Sequence, residues 1–157
     1  MMPRPQHYPF RERLKLRVDM TIAAGIRCSD GIIICADTEH TGDVSKFQET
    51  KIIPIEDHTV ITGAGSTDYI LMTADKLRDE LKSAHPVNVA DARQIVETVV
   101  QGVHAEHIFN FYDASDPNRP SMELIVAMRC SEGDLALLKT FNSAVRVGSQ
   151  FEFAGSG

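Results

Sequence analysis

Thr21, Asp37 and Lys51 are the residues whose types and order could carry acyl-transfer chemistry. Thr21 directly follows Met20, and removal of an initiator methionine before a small residue would leave Thr21 at the mature N-terminus. A free α-amine, with a reference pKa near ~8, could then act as general base for the hydroxyl of its own residue. An alcohol is a weak nucleophile at neutral pH, and a nearby ammonium lowers the cost of forming the alkoxide and keeps the amine neutral. Lys51 is the candidate ammonium, and Asp37, where an apolar run ends, is the anion that would hold it. Singly, these residues read as a β-former, a turn carboxylate and a strand-end charge. Together they predict a Thr–Lys–Asp relay.

The elements that must position them begin at Thr21. Apolar runs over Ile22–Cys28 and Gly31–Ala36 flank Asp30-Gly31, a dipeptide suited to a type I′ hairpin. With that dipeptide at the tip, Thr21 falls opposite His40, and Asp37 is offset by three residues, roughly 10 Å along the strand. Direct contact is then excluded and a lysine stem must bridge the gap. A polar connection, Thr38–Thr50, leads to two further strands, Lys51–Ile55 and Thr59–Ala64. Gly63-Ala64-Gly65 follows, a strand-to-helix turn whose backbone could aim an N–H at an oxyanion beside a helix N-terminus. It is not a phosphate loop, since GxxxxGK[ST] does not occur.

Ser66 or Thr67 is placed to cap a helix with Ile70, Ala74, Leu77 and Leu81 on one side. His85-Pro86 ends it, and Asn88 with Asp91 has the spacing of a capping box for a second helix, with a stripe of Ala92, Ile95, Val96, Val99 and Val103. His104 and His107 read as a solvated helix end. Beyond the polar break Asp113–Pro120, strands are expected at Met122–Arg129 and Leu135–Phe141, with short ones near Val145 and at Phe151–Ala154. Grouped helices between strand hairpins predict an α+β layered fold, with two helices able to cover one sheet face only.

The chain of 157 residues, 43% hydrophobic and 24% charged, is of single-domain size. Its net charge of −6 is uneven: residues 1–20 carry five basic and two acidic side chains, a net +3, which leaves −9 for the rest. So acidic a body is a poor match for nucleic acid, and no stretch approaches the ~18 apolar residues of a membrane helix. Residues 1–20, with Pro3, Pro5 and Pro9, read as a basic extension outside the main fold, propeptide-like or upstream of the true start. Cys28, Cys35 and Cys130 are odd in number and lack a zinc-like pair, so they are expected as reduced, partly buried thiols in a cytoplasmic protein.

The run from Thr21 through the Asp30-Gly31 step to Asp37-Thr38 resembles the N-terminus of a proteasome β subunit or of the bacterial HslV peptidase. Lys51-Ile-Ile-Pro-Ile, Gly63-Ala-Gly-Ser-Thr-Asp68 and Phe153-Ala-Gly-Ser156-Gly resemble the next three landmarks of that family, in order. The resemblance implies an N-terminal-nucleophile (Ntn) hydrolase: two stacked antiparallel sheets between helix layers, assembled into rings. It implies Thr21 as nucleophile, Asp37 and Lys51 as its supporting pair, Gly65 or Ala64 as the oxyanion amide, and Ser156 near the terminal amine. No cofactor or metal is implied. Met20 stands where β subunits carry a glycine, and Glu39 where a basic residue is common. The family continues past the position of Gly157, so the 137 residues from Thr21 are expected to be the first two-thirds or so of a longer fold, with C-terminal helices missing. A threonine-type endopeptidase acting on peptides or unfolded protein in a homo-oligomeric ring, with an ATPase as possible partner, is the leading expectation. An inactive ring subunit and a small-molecule amidase of the same fold are the alternatives.

Overall fold

A computed structural model describes residues 21–41, 46–48 and 50–155. The expected extension 1–20, Met20 included, and Ser156 lie outside the described residues. The order is β1 (Ala23–Arg27), β2 (Ile32–Ala36), β3 (Glu39–Thr41), β4 (Lys46–Gln48), β5 (Ile53–Glu56), β6 (Thr59–Gly65), α1 (Thr67–Ser83) and α2 (Val89–His104), then a π-helical turn Ala105–Phe109. It ends with β7 (Met122–Arg129), β8 (Leu135–Phe141), β9 (Ala144–Val147) and β10 (Phe151–Ala154). The polar connection after Thr38 therefore holds a short hairpin, β3–β4, that local composition does not signal.

Two antiparallel sheets are stacked. One has the order β5-β6-β7-β8-β9 and the other β10-β1-β2, so the first and last strands are neighbours. Alternation assigns the faces of β1 and β2: Ala23, Gly25, Ile32, Ile34 and Ala36 turn inward, toward Ile125 and Leu137 of the larger sheet. The sheets pack tightly at Gly25, where an added Cβ would lie 2.7 Å from Leu137 Cδ1 and 2.8 Å from Ile125 Cγ2. Both helices lie on the opposite face of the five-stranded sheet. Leu77, Leu81, Val96 and Val100 pack there with Ile61, Leu124, Val126 and Leu138, and each fully buried Leu, Ile or Val contributes about 1.5–3 kcal/mol over leaving it exposed. The result is an α+β sandwich in three layers: helices, large sheet, small sheet. The outer face of the small sheet carries Ile26, Ile33, Phe151 and Phe153, all exposed, as the two-helix arithmetic requires.

Both helix stripes are buried as spaced, except that Ile95 is only half-buried. The caps differ from expectation. Ser66 occupies the N-cap of α1 without a side-chain capping bond. Asn88 Oδ1 accepts from the N–H groups of Ala90 and Asp91, while the Asp91 carboxylate accepts from Val87 N, one residue before the reciprocal partner of a true capping box. His104 is not on a solvated helix end: the π-helical turn carries the chain onward, His104 is buried, and its Nδ1 lies 2.9 Å from the Val100 carbonyl. The thiols also depart from expectation. All three are free, but Cys28 and Cys35 are exposed, Cys35 because it faces outward from the small sheet. Only Cys130 is buried, and desolvation there raises its pKa.

Candidate active site

The first hairpin turns one step earlier than its Asp-Gly dipeptide suggests. Cys28 N donates to Gly31 O at 2.8 Å, so Ser29 and Asp30 form the tip, and neither has positive φ. Ala23 faces Ala36 in this register, which places Thr21 opposite Thr38, not His40. Asp37 is thus offset from Thr21 by one residue instead of three. Sliding a hairpin by two residues keeps every side chain on its face, so the burial pattern does not distinguish the registers. The tip does.

At this strand end Asp37 N donates to Ile22 O at 3.0 Å, and Ile22 N donates to Asp37 Oδ1 at 3.1 Å. Lys51, two residues before β5, reaches in from the large sheet. Its Nζ donates to Asp37 Oδ1 at 3.0 Å, to Oδ2 at 3.1 Å and to Thr21 Oγ1 at 3.3 Å. The Lys51 side chain is 9% exposed and that of Asp37 29%. Burial alone would raise the Asp37 pKa, but the Lys51 hydrogen bond, the Ile22 N–H and the ammonium charge outweigh it and hold the carboxyl below its usual range. Asp37 is therefore ionised at neutral pH and ties Lys51 against the threonine hydroxyl.

Gly65 ends β6 with φ of +111°, and a Cβ there would collide with the Ser121 carbonyl. Ser66 N donates to Ser121 O at 2.9 Å, so Ser66 and Ser121 form a hydrogen-bonded pair of the β6–β7 ladder. By antiparallel alternation the preceding pair, Gly65 with Met122, turns its N–H groups away from the ladder. On that other side of β6, β5 pairs in register only as far as Ile53 with Ile61. The Gly65 amide is consequently outside the ladder, whereas that of Ala64 points into it, which separates the two oxyanion candidates. Gly155, at φ of +121°, lies so close behind Thr21 that a methyl there would collide with the Thr21 carbonyl oxygen.

Thr21, Asp37 and Lys51 are thus in contact, with Gly65 at the end of the adjacent strand and Gly155 as backing. No residue of the Asp113–Pro120 connection stood out in the sequence, yet the fold brings Asn118 and Arg119 to the wall of a cavity with Gly65 and Gly155. A polar loop without motif carries no local signal of that placement. The pair His104 and His107 is split, one ring buried and the other beside Glu106 at 3.4 Å. Among the described residues no group of three or more His, Cys, Asp or Glu side chains has the arrangement of a metal site.

The fold is an α+β sandwich of the Ntn kind, and residues 20–157 match the proteasome subunit family, to which this chain belongs. It is similar to proteasome subunit beta 1 of Thermococcus onnurineus and of Pyrococcus abyssi, 39% and 42% identical over 64 residues. That stretch is 40% of this chain and 32% of either relative, so the match spans about a third of their length. Among solved structures, a helical assembly of the Anbu complex from Pseudomonas aeruginosa superposes with a TM-score of 0.67 at 17% identity, over 85% of this chain and 60% of that one. An Anbu Gly-1 mutant from Hyphomicrobium sp. strain MC1 gives 0.66, also at 17% identity, over 87% and 61%. At that identity the likeness is one of fold. No helix among the described residues is long and apolar enough to cross a membrane.

Proposed function

We propose that this chain is a threonine-type peptidase of the proteasome class, with Thr21 as an N-terminal nucleophile. One observation carries the reading: a mostly buried ammonium bridges the Thr21 hydroxyl and an ionised aspartate. Once the α-amine of Thr21 is free, Oγ attacks the peptide carbonyl carbon and its proton passes to that amine. The Lys51 charge, fixed by Asp37, favours the alkoxide character developing on Oγ. The Gly65 N–H receives the negative carbonyl oxygen of the tetrahedral intermediate. Collapse breaks the C–N bond, the ammonium returns its proton to the leaving amine, and an ester on Thr21 remains. Water, deprotonated by the same amine, then attacks the ester, and the carboxylic acid leaves as Oγ regains its proton. Ser156 is assigned to the neighbourhood of the terminal amine on the family resemblance alone.

The substrates are peptides or unfolded protein, and the working form is a homo-oligomeric ring in the cytoplasm, with an ATPase as possible partner. Free thiols at the exposed Cys28 and Cys35 suit a reducing compartment. A second reading is favoured by Met20, which stands where processed β subunits carry glycine: a ring subunit that keeps its leader and does no chemistry. N-terminal mass spectrometry of the purified protein, with peptide hydrolysis by the wild type and Thr21→Ala, separates them. The peptidase reading expects a chain beginning at Thr21, covalent labelling by an epoxyketone, and loss of hydrolysis in the variant. A mature chain beginning at Met1, or equal hydrolysis by the two proteins, refutes it.

A further inference from the structure

A cavity of about 770 Å³ opens between Gly65 and Gly155, a size ordinary for a pocket that takes a small ligand or a few side chains. Gly155, one of its lining residues, also packs against the Thr21 backbone carbonyl. The strand order fixes its side. Lys51 precedes β5, on one edge of β6, while Ser121, Glu123 and Phe141, from the ends of β7 and β8 on the other edge, line the cavity. The Thr21–Lys51–Asp37 relay and the cavity therefore flank the end of β6 from opposite sides.

Two charged residues, Arg119 and Glu123, line the cavity. Glu123 has Lys139 Nζ at 3.5 Å. Arg119 has no ion-pair partner among the described residues; its guanidinium lies over the Phe109 ring, 5.0 Å from the centroid. A cation–π contact uses none of the guanidinium's N–H donors, a rigid fork that matches a planar carboxylate. The backbone beneath is set by a turn in which Asn118 N donates to Asp116 Oδ1 at 2.8 Å and Arg119 N to Asp116 O at 3.1 Å. Arg119 is half-buried. Arg119 thus lines a cavity that shares Gly65 and Gly155 with the surroundings of Thr21, its guanidinium held at the Phe109 ring.

We propose that this cavity is a substrate subsite for a carboxylate, borne by an acidic side chain or by the free C-terminus of a peptide, and that Arg119 is the residue that selects it. The proposal rests on the peptidase reading and names the substrate class that reading leaves open. An arginine at this wall favours a planar anion over a neutral amide of the same shape, and charge-assisted pairs are the strong ones.

The test is fluorescence anisotropy on the full chain carrying Thr21→Ala, so that bound peptide is not consumed. The probes are four labelled hexapeptides of one sequence, with Glu or Gln at one internal position and a free or amidated C-terminus. One carboxylate arm is expected to bind about tenfold tighter than the Gln, amidated peptide, equivalent to about 1.4 kcal/mol, and which arm does so identifies the source. Adding Arg119→Gln abolishes that preference, whereas Lys82→Gln, the same charge change on the exposed face of α1, leaves it. Equal binding of all four peptides, a preference that survives Arg119→Gln, or equal loss with Lys82→Gln overturns the proposal. If Arg119→Gln does not fold, Arg119→Lys decides: charge without the fork must cost the preference at least threefold. Failure of the wild type to hydrolyse any peptide would refute the peptidase reading instead, and the binding comparison remains a separate result.

Discussion

Replacing Lys51 by methionine tests the relay more sharply than removing the nucleophile. The substitution keeps an unbranched stem at a mostly buried position and deletes the ammonium that touches Asp37 at 3.0 and 3.1 Å and Thr21 Oγ1 at 3.3 Å. Breaking a fully buried pair leaves an uncompensated charge and costs about 3–5 kcal/mol. Asp37 keeps the Ile22 N–H and is 29% exposed, so solvent screens part of that, and about 1–3 kcal/mol is expected. For a chain of this size that lowers Tm by roughly 2–12 °C. Peptide hydrolysis should fall by about 10²–10⁴, since the group that favours the alkoxide is gone. Combining Lys51→Met with Asp37→Asn removes the stranded charge as well. The double variant should regain stability over Lys51→Met alone and regain no activity. Thermal melts and hydrolysis rates on the four proteins of the cycle measure both terms. Additive stability losses, or a Lys51→Met rate within about fivefold of wild type, would refute the reasoning, because Lys51 would then be neither paired to Asp37 nor acting on Thr21.

Two further outcomes follow from the same geometry. Gly155→Ala, which places a methyl against the Thr21 carbonyl at positive φ, should cost about 2 kcal/mol or more and displace Thr21, while Gly102→Ala, in α2 with open space around the added methyl, should stabilise by up to about 1 kcal/mol; denaturant melts that rank the two the other way contradict the packing described. Because the Asp37 pKa is lowered on folding, its stabilising contribution is complete above the ordinary carboxylate value of 3.8 and is lost as pH falls through the lower folded value. The Tm gap between wild type and Asp37→Asn should therefore be full at pH 7 and shrink below about pH 4, and a gap unchanged at pH 3 counts against the ionised pair.

Much of the molecule was legible locally, and the reasons are particular. The stripes Ile70, Ala74, Leu77, Leu81 and Ala92, Val96, Val99, Val103 repeat at helical spacing and are buried as spaced. β7 and β8 are apolar runs bounded by turn residues, as read. The bridging role of Lys51 followed from an argument about reach, although its premise of a 10 Å offset was wrong by two residues of register. Asp30-Gly31 misled because an Asp-Gly dipeptide is permissive for a mirror-image turn without requiring one; the observed tip, Ser29-Asp30, has no positive φ. β3 and β4 gave no signal because three-residue strands hold too little periodicity to read.

By itself, the sequence determined which residues could form a hydroxyl–ammonium–carboxylate relay, that a glycine-rich turn would lead from a strand into the first helix, and that two helices would cover one face of one sheet. These depend on residue type and near-neighbour spacing, which a linear chain carries. Tertiary structure alone decided the rest: the register that puts Asp37 one residue from Thr21, the position of the Gly65 amide outside the strand ladder with that of Ala64 inside it, and the burial of His104 ahead of a π-helical turn. It also brought Arg119 to the wall of a cavity shared with Gly65 and Gly155. Each of those depends on which groups distant in the chain meet across the stacked layers, and no local pattern encodes that meeting.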